Sequence, residues 1–305
     1  MRQRTSPNVP PPPPDSIILA LDIGSSSTRC SAYYLTENAI TGSRAVTPIP
    51  KCSGTDAFRT LNPSTLMSNP SQLCDSVDAV VDGCIRRLRL MAIAHNIVAV
   101  GFSTFVMNLV GVDKGGRPIT DVLSYAANSE GVCGEADWLR RGLGEEEKKE
   151  MMARTGCPIH ACYAVAQFRA LYGQDRALWN RIVSFETISQ ICYGRWTGER
   201  GGGGCSFSEG SWTGLLDGDK LDWDWRTIDM VCPPGTREKM PPLRDLGEWE
   251  WNAGTREGTK SAGVHTGSAR PTPSGYGNRW PELLNGSCRL ILGVGDGAAA
   301  NVGSR

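Results

Sequence analysis

An apolar run, Ile17 to Leu21, closes on Asp22, and the residues after it constrain this chain more than any others. Gly24 opens a turn, and four hydroxyl residues follow in a row, Ser25, Ser26, Ser27 and Thr28. Arg29 comes next, and Cys30 to Leu35 reads as a second strand. A short apolar run bounded by turn residues has the pattern of a buried strand. Backbone N–H groups and hydroxyls of such a turn can cradle phosphate oxygens. A carboxylate at the strand tip repels a phosphate, so Asp22 suits a hydrated Mg²⁺ lying between the two. Arg29 supplies a fixed positive charge for a transferring phosphoryl group. The plainer reading is a β-hairpin with a serine-rich turn.

The 305 residues suffice for one large or two medium domains. Lysine and arginine number 32 against 32 acidic residues, which argues against a nucleic-acid-binding chain. No apolar run approaches the length of a transmembrane helix, and no apolar core follows Arg2 and Arg4, so no membrane partner and no secretory leader are expected. Residues 1–16, with Pro10 to Pro14, read as a disordered proline-rich arm. Eleven scattered cysteines without a C-x-x-C pair fit reduced thiols in the cytoplasm. Cys157, His160 and Cys162 share one loop with no second ligand cluster, so structural thiols are the better reading. Three histidines, His95, His160 and His265, give poor support for a histidine-based hydrolase.

Asn38 to Pro50 reads as a turn, supplied by residues 41–43, and a third strand; residues 51–65 read as irregular. Asn69-Pro70 is a helix start, and Leu73, Val77, Val80, Val81, Cys84, Ile85 and Leu88 then recur at helical spacing. Extended segments follow at Ile97 to Phe102, Leu109 to Val112 and Ile119 to Tyr125. A hairpin followed by helix and strand predicts a layered α/β domain. Residues 145–152 begin a charged, solvated helix, and Tyr163 to Tyr172 form a helix with Val165, Phe168, Leu171 and Tyr172 on its core face. Gly201 to Gly204 lacks the lysine and spacing of a P-loop and reads as a flexible loop. Asp217, Asp219, Asp222 and Asp224 are not a calcium loop, because Leu221 occupies a position that needs an oxygen ligand. Residues 252–279 read as a flexible insertion, and Arg289 to Val294 as a strand running into Gly295-Asp296-Gly297. A dinucleotide site at that turn would need a complete helix and a distal acidic residue after it.

The stretch Asp22-Ile23-Gly24-Ser25-Ser26-Ser27-Thr28-Arg29 resembles the first phosphate motif of the FGGY sugar kinases, Asp-x-Gly-Thr/Ser-Thr/Ser-x-x-Arg/Lys, in the actin/hexokinase/Hsp70 superfamily. Further blocks are similar to the same family: Gly101 to Pro118, Thr155-Gly156-Cys157-Pro158, Thr197-Gly198-Glu199, and Ser206 to Asp217. Ser103-Thr104-Phe105 looks most like the gluconokinase-related branch, and Gly295-Asp296 resembles the turn that carries the family's catalytic base.

The resemblance implies an α/β, ribonuclease-H-like (actin-like ATPase) domain with a mixed sheet flanked by helices. It implies ATP and Mg²⁺ as cofactors, and a sugar, polyol or sugar acid as substrate. Asp296 would be the base, and Asp22 would orient Mg²⁺ through water. Gly24, Ser25, Ser26 and Thr28 would line the phosphate turn, and Arg29 would face the phosphoryl group. Thr104, Met107, Asn108 and Asn128 would touch the substrate. Met107 stands where relatives often carry histidine, and Ala127 and Ser129 replace an aspartate and an arginine, which implies changed specificity or lost activity. The implied layout is a kinase domain over 17–288 and the start of a second, missing domain over 289–305, with Leu290 to Val294 lacking partner strands and little activity alone. A non-catalytic sugar- or partner-binding descendant is the alternative, and a homodimer stays open. An actin- or Hsp70-like hydrolase fits less well, because of the Thr213-Gly214-Leu215-Leu216-Asp217 block.

Overall fold

The alternation in β1 (Ile17–Ile23) sets the fold: Ile17, Leu19, Leu21 and Ile23 are buried. Burial of each such side chain contributes about 1.5–3 kcal/mol. The computed structural model describes residues 15–37, 44–57, 68–199, 201, 203–245, 250–252, 275–284 and 288–303. The proline-rich arm at 1–14, the turn at 41–43 and residues 253–274 of the expected insertion lie outside them.

β1 pairs antiparallel with β2 (Ser27–Glu37), which pairs antiparallel with β3 (Arg44–Ala57). Residues 51–57 are therefore strand, where an irregular segment is expected from composition. The pairing jumps from Ser31↔Ser53 to Tyr33↔Pro48, so the extra residues of β3 form a bulge, with Lys51 in the left-handed region at φ 62°. A bulge lets a strand continue past a break in its polar pattern. β4 (Ile97–Thr104) pairs parallel with the other edge of β1.

The strand Arg289–Gly295 pairs parallel with β4, and Glu250–Asn252 pairs antiparallel with it. The expectation that Leu290 to Val294 lack partners is thus corrected: this is an internal strand of a six-stranded mixed sheet, with Leu290 and Leu292 buried.

α1 (Pro70–Leu90) starts as the sequence indicates, with Asn69 Oδ1 accepting from the amides of Ser71 and Gln72 at 3.0 and 3.1 Å. Its apolar stripe packs on β2 and β3. A smaller sheet places β5 (Asn108–Val112) between β6 (Leu123–Ser124) and β7 (Ser184–Thr187). Only two residues of the expected Ile119–Tyr125 segment pair as strand. Four helices, α2 (Glu130–Gly142), α3 (Glu145–Thr155), α4 (Ala164–Gln174) and α5 (Arg176–Arg181), build a second core over this sheet. Phe168 stacks on Phe185 with ring centres 4.2 Å apart. α6 (Ile188–Thr197) opens with a reciprocal cap between Thr187 and Gln190, packs on β4 and the Arg289–Gly295 strand, and meets α1 at Cys74 and Cys192. All eleven cysteines are unpaired, and no helix among the described residues is long and apolar enough to cross a membrane.

Glu186 on β7 is 7 % exposed, and burial alone pushes its carboxyl up to about 7 from an ordinary 4.5. The folded state thus holds a proton that the unfolded chain releases, so the contribution of this one group is fully present below pH 4.5 and is lost as pH rises from 4.5 through 7. Glu186→Gln removes that slope and stabilises the protein by about 2–3 kcal/mol above pH 7. Urea midpoints measured between pH 5 and 8 check this; an unchanged slope in the variant would contradict it.

Candidate active site

β1, β4 and the Arg289–Gly295 strand run parallel and finish side by side, with Asp22 opposite Ser103 and Ser103 opposite Val294. Asp22 and Asp296 therefore flank the tip of β4, on strands two spacings, or roughly 10 Å, apart. Both line one open cleft of about 520 Å³, together with Gly24, Ser25, Ser26, Ser27, Arg29, Ser103 and Ala299.

The first wall is the hairpin turn. Gly24 N donates to Ser27 O at 3.0 Å, which keeps the turn tight and leaves Ser25 and Ser26 exposed. Tyr125 Oη lies 3.2 Å from Ser25 Oγ, and Phe105 N donates to Ile23 O at 2.8 Å, fixing the tip of β1. Arg29 Nη1 and Asp22 Oδ2 are 3.8 Å apart, with both side chains about half exposed. Such a loose, solvated pair is worth little, so a phosphate or a cation can re-partner either group.

The second wall is the turn at Asp296. Asp296 opens the helix Asp296–Gly303, and its Oδ1 accepts from Gly297 N at 2.7 Å. The strand before it is held by α7 (Phe207–Ser211): Ser206 Oγ donates to Gly293 O at 2.6 Å, and Ser208 Oγ accepts from Gly295 N at 3.1 Å. Glycine is required here for close approach. A Cβ on Gly293 would lie 2.7 Å from Ser189 Oγ, and one on Gly295 would lie 2.6 Å from Trp212 Nε1.

Behind both walls sits Glu209, fully enclosed. Its carboxylate accepts from Thr104 Oγ1 at 3.0 Å, from Ser189 Oγ at 2.9–3.0 Å and from Thr187 Oγ1 at 3.2 Å. Burial pushes this carboxyl above the usual range, and those hydrogen bonds work against the rise. One acid thus ties β4, the start of α6 and α7 together directly beneath the cleft.

Six of the sequence-predicted site residues meet in the cleft: Asp22, Gly24, Ser25, Ser26, Arg29 and Asp296. Five do not. Thr28 is fully buried, because alternation along β2 turns Ser27 and Arg29 outward and Thr28 inward. Thr104 is buried on Glu209. Asn108 Nδ2 donates to Thr104 Oγ1 and Phe105 O, and its Oδ1 accepts from Ile188 N, so it staples the β4–β5 turn to α6. Met107 packs in the second core, with a left-handed φ of 50° at that turn. Asn128 is exposed, but it is not part of the cleft. Thr104, Met107 and Asn108 are thus buried in this structure, and Thr104 and Asn108 already hold hydrogen bonds within the protein.

Sequence reasoning counted Ser27 in the hydroxyl turn but missed Ser103, Ser206, Ser208, Glu209 and Trp212 as parts of this site. Strand alternation signals Ser27; nothing local signals Glu209. The cleft's oxygen donors suit a hydrated divalent cation such as Mg²⁺. Among the described residues no group of three His, Cys, Asp or Glu side chains could hold a metal, so a cation at Asp22 would need water and phosphate as its other ligands.

Comparison with known proteins bears on this arrangement. The FGGY family of carbohydrate kinases, N-terminal domain, matches residues 17–266. A gluconokinase of Bacillus subtilis (strain 168) is 23% identical over 233 residues, 76% of this chain and 41% of that protein. The gluconate kinase structure from Lactobacillus acidophilus superposes with a TM-score of 0.67 at 15% identity, covering 93% of this chain and 48% of that one. Glycerol kinase of Plasmodium falciparum with ADP gives 0.68 at 14% identity, covering 94% and 50%. The chain spans about half the length of the relatives it matches.

Proposed function

The chain belongs to the FGGY family of carbohydrate kinases, and from that premise we propose that it forms one half of an enzyme that phosphorylates a hydroxyl of a sugar, polyol or sugar acid with ATP. The observation that supports this reading is that Asp22 and Asp296 line one cleft with the hydroxyl turn and Arg29. In the proposed reaction the substrate hydroxyl oxygen bonds to the γ-phosphorus of ATP as the bond to the bridging oxygen breaks and ADP leaves. The hydroxyl proton passes to Asp296. Ser25, Ser26, Ser27 and the amides of their turn hold phosphate oxygens, and Arg29 balances charge on the transferring group. A Mg²⁺ near Asp22 would neutralise further phosphate charge. The transition state is loose and in line, so positioning and electrostatics supply nearly all of the catalysis.

The substrate range starts with gluconate, named for two of the relatives, then xylulose and glycerol. In the whole protein that carries this half, a coupled ADP assay gives turnover with one of these and Mg·ATP. Chelating the metal abolishes it, and Asp22→Asn lowers it by about 10²-fold or more. Absence of turnover across sugars, polyols and sugar acids would favour a non-catalytic sugar-binding role, which the buried Ala127 in place of an aspartate supports.

A further inference from the structure

Beside the first turn of α1 lies a second pocket, of about 320 Å³, which shares no residue with the cleft at the strand tips. Pro70 and Cys74 of α1, the turn Gly115 to Pro118, and Ile191 and Arg195 of α6 form its walls. Glu186 and Glu199 also line it. The volume sits at the lower end of small-molecule sites, and it is several times the share of one water.

Glu186 is the unusual feature. It is 93 % enclosed, it lines this pocket, and among the described residues its carboxylate has neither a hydrogen bond nor an ion pair. The two arginines in the wall are already engaged. Arg117 is held in a two-bond fork by Asp113 at 2.8 and 3.0 Å. Arg195 is held by Asp75 at 2.6 Å and Asp78 at 3.2 Å. The half-buried Glu199 adds a second acid whose carboxyl is raised by burial alone. Among the described residues, the pocket therefore presents two acids that no ion pair in its wall neutralises.

We propose that this pocket binds a small organic cation through a primary ammonium group, with Glu186 as its main partner and Glu199 as the second. An ammonium offers three N–H donors on a compact charge, which matches two carboxylates. Anionic ligands meet like charge. A divalent metal would find no third protein ligand among the described residues. Removing a cation's water is offset here because a buried carboxylate without a partner is itself costly.

The site stands independently of the kinase reading, so its test needs no turnover. The wild-type chain is titrated with ethylammonium, 1,4-diaminobutane, tetramethylammonium and potassium chloride, read by calorimetry and thermal unfolding. Ethylammonium and the diamine bind and raise the melting temperature by mass action. Tetramethylammonium has the same charge without N–H donors and does not bind, and neither does potassium. Affinity rises as pH passes through 7, because Glu186 must ionise to pair with the ligand. The other groups facing it, Arg117 and Arg195, stay charged throughout, Cys74 comes from α1, and Glu199 acts in the same direction. Glu186→Gln weakens binding by at least about tenfold, the scale of one charge-assisted hydrogen bond, and Glu199→Gln weakens it less. Far-UV circular dichroism confirms that both variants are folded. Unweakened binding in folded Glu186→Gln, equal shifts with potassium, or no binding of either amine would overturn the proposal.

Discussion

Asp296→Asn lowers the turnover of phosphoryl transfer by about 10²–10⁴, the range expected for loss of a positioned general base. The change removes proton-accepting power and little else. Asparagine has the same shape, and its Oδ1 can still accept from Gly297 N, the hydrogen bond that holds the side chain among the described residues. Ser208 holds the turn from outside, through Gly295, and is unaffected. The KM for the sugar should stay within a few-fold, since a base acts in the transition state and contributes little to ground-state binding. Steady-state kinetics of the whole protein, with circular dichroism as the folding control, measure both quantities. Full turnover in a folded variant would remove Asp296 from the role of base.

Glu209→Ala destabilises the protein by about 3 kcal/mol or more. The loss strips an acceptor from Thr104, Thr187 and Ser189 at once, and each buried donor left unpaired costs about 1–3 kcal/mol. A cavity forms as well. Glu209→Gln should be milder, because burial already favours the neutral acid, which a glutamine amide imitates in shape and charge. Urea unfolding of the two variants provides the comparison. If alanine costs no more than glutamine, the buried acid is not what ties these strands together.

The phosphate turn was legible because its chemistry is local: Asp22, Gly24, the serines and Arg29 lie within eight consecutive residues. α1 was legible for the same reason, its cap and stripe being contiguous. What was not legible has two causes, distance along the chain and strand pleating. Thr104 and Asn108 look like loop polar groups until Glu209, Ser189 and Ile188, far along the chain, fold against them. The strand at Arg289–Gly295 looks unpartnered because its neighbour, β4, precedes it by most of the chain. Thr28 was misplaced by treating four hydroxyls as one turn, when β2 has already begun at Ser27 and pleating sends alternate side chains inward.

The placement of that late strand also governs how the molecule is made. β1, β2 and β4 emerge early, but one edge of β4 keeps open backbone donors and acceptors until Gly295 has been synthesised. Pairing so distant in sequence is slow to form, and an unpaired edge invites association with other chains. Until that strand pairs, the bare edge of β4 is the place where association with other chains would start.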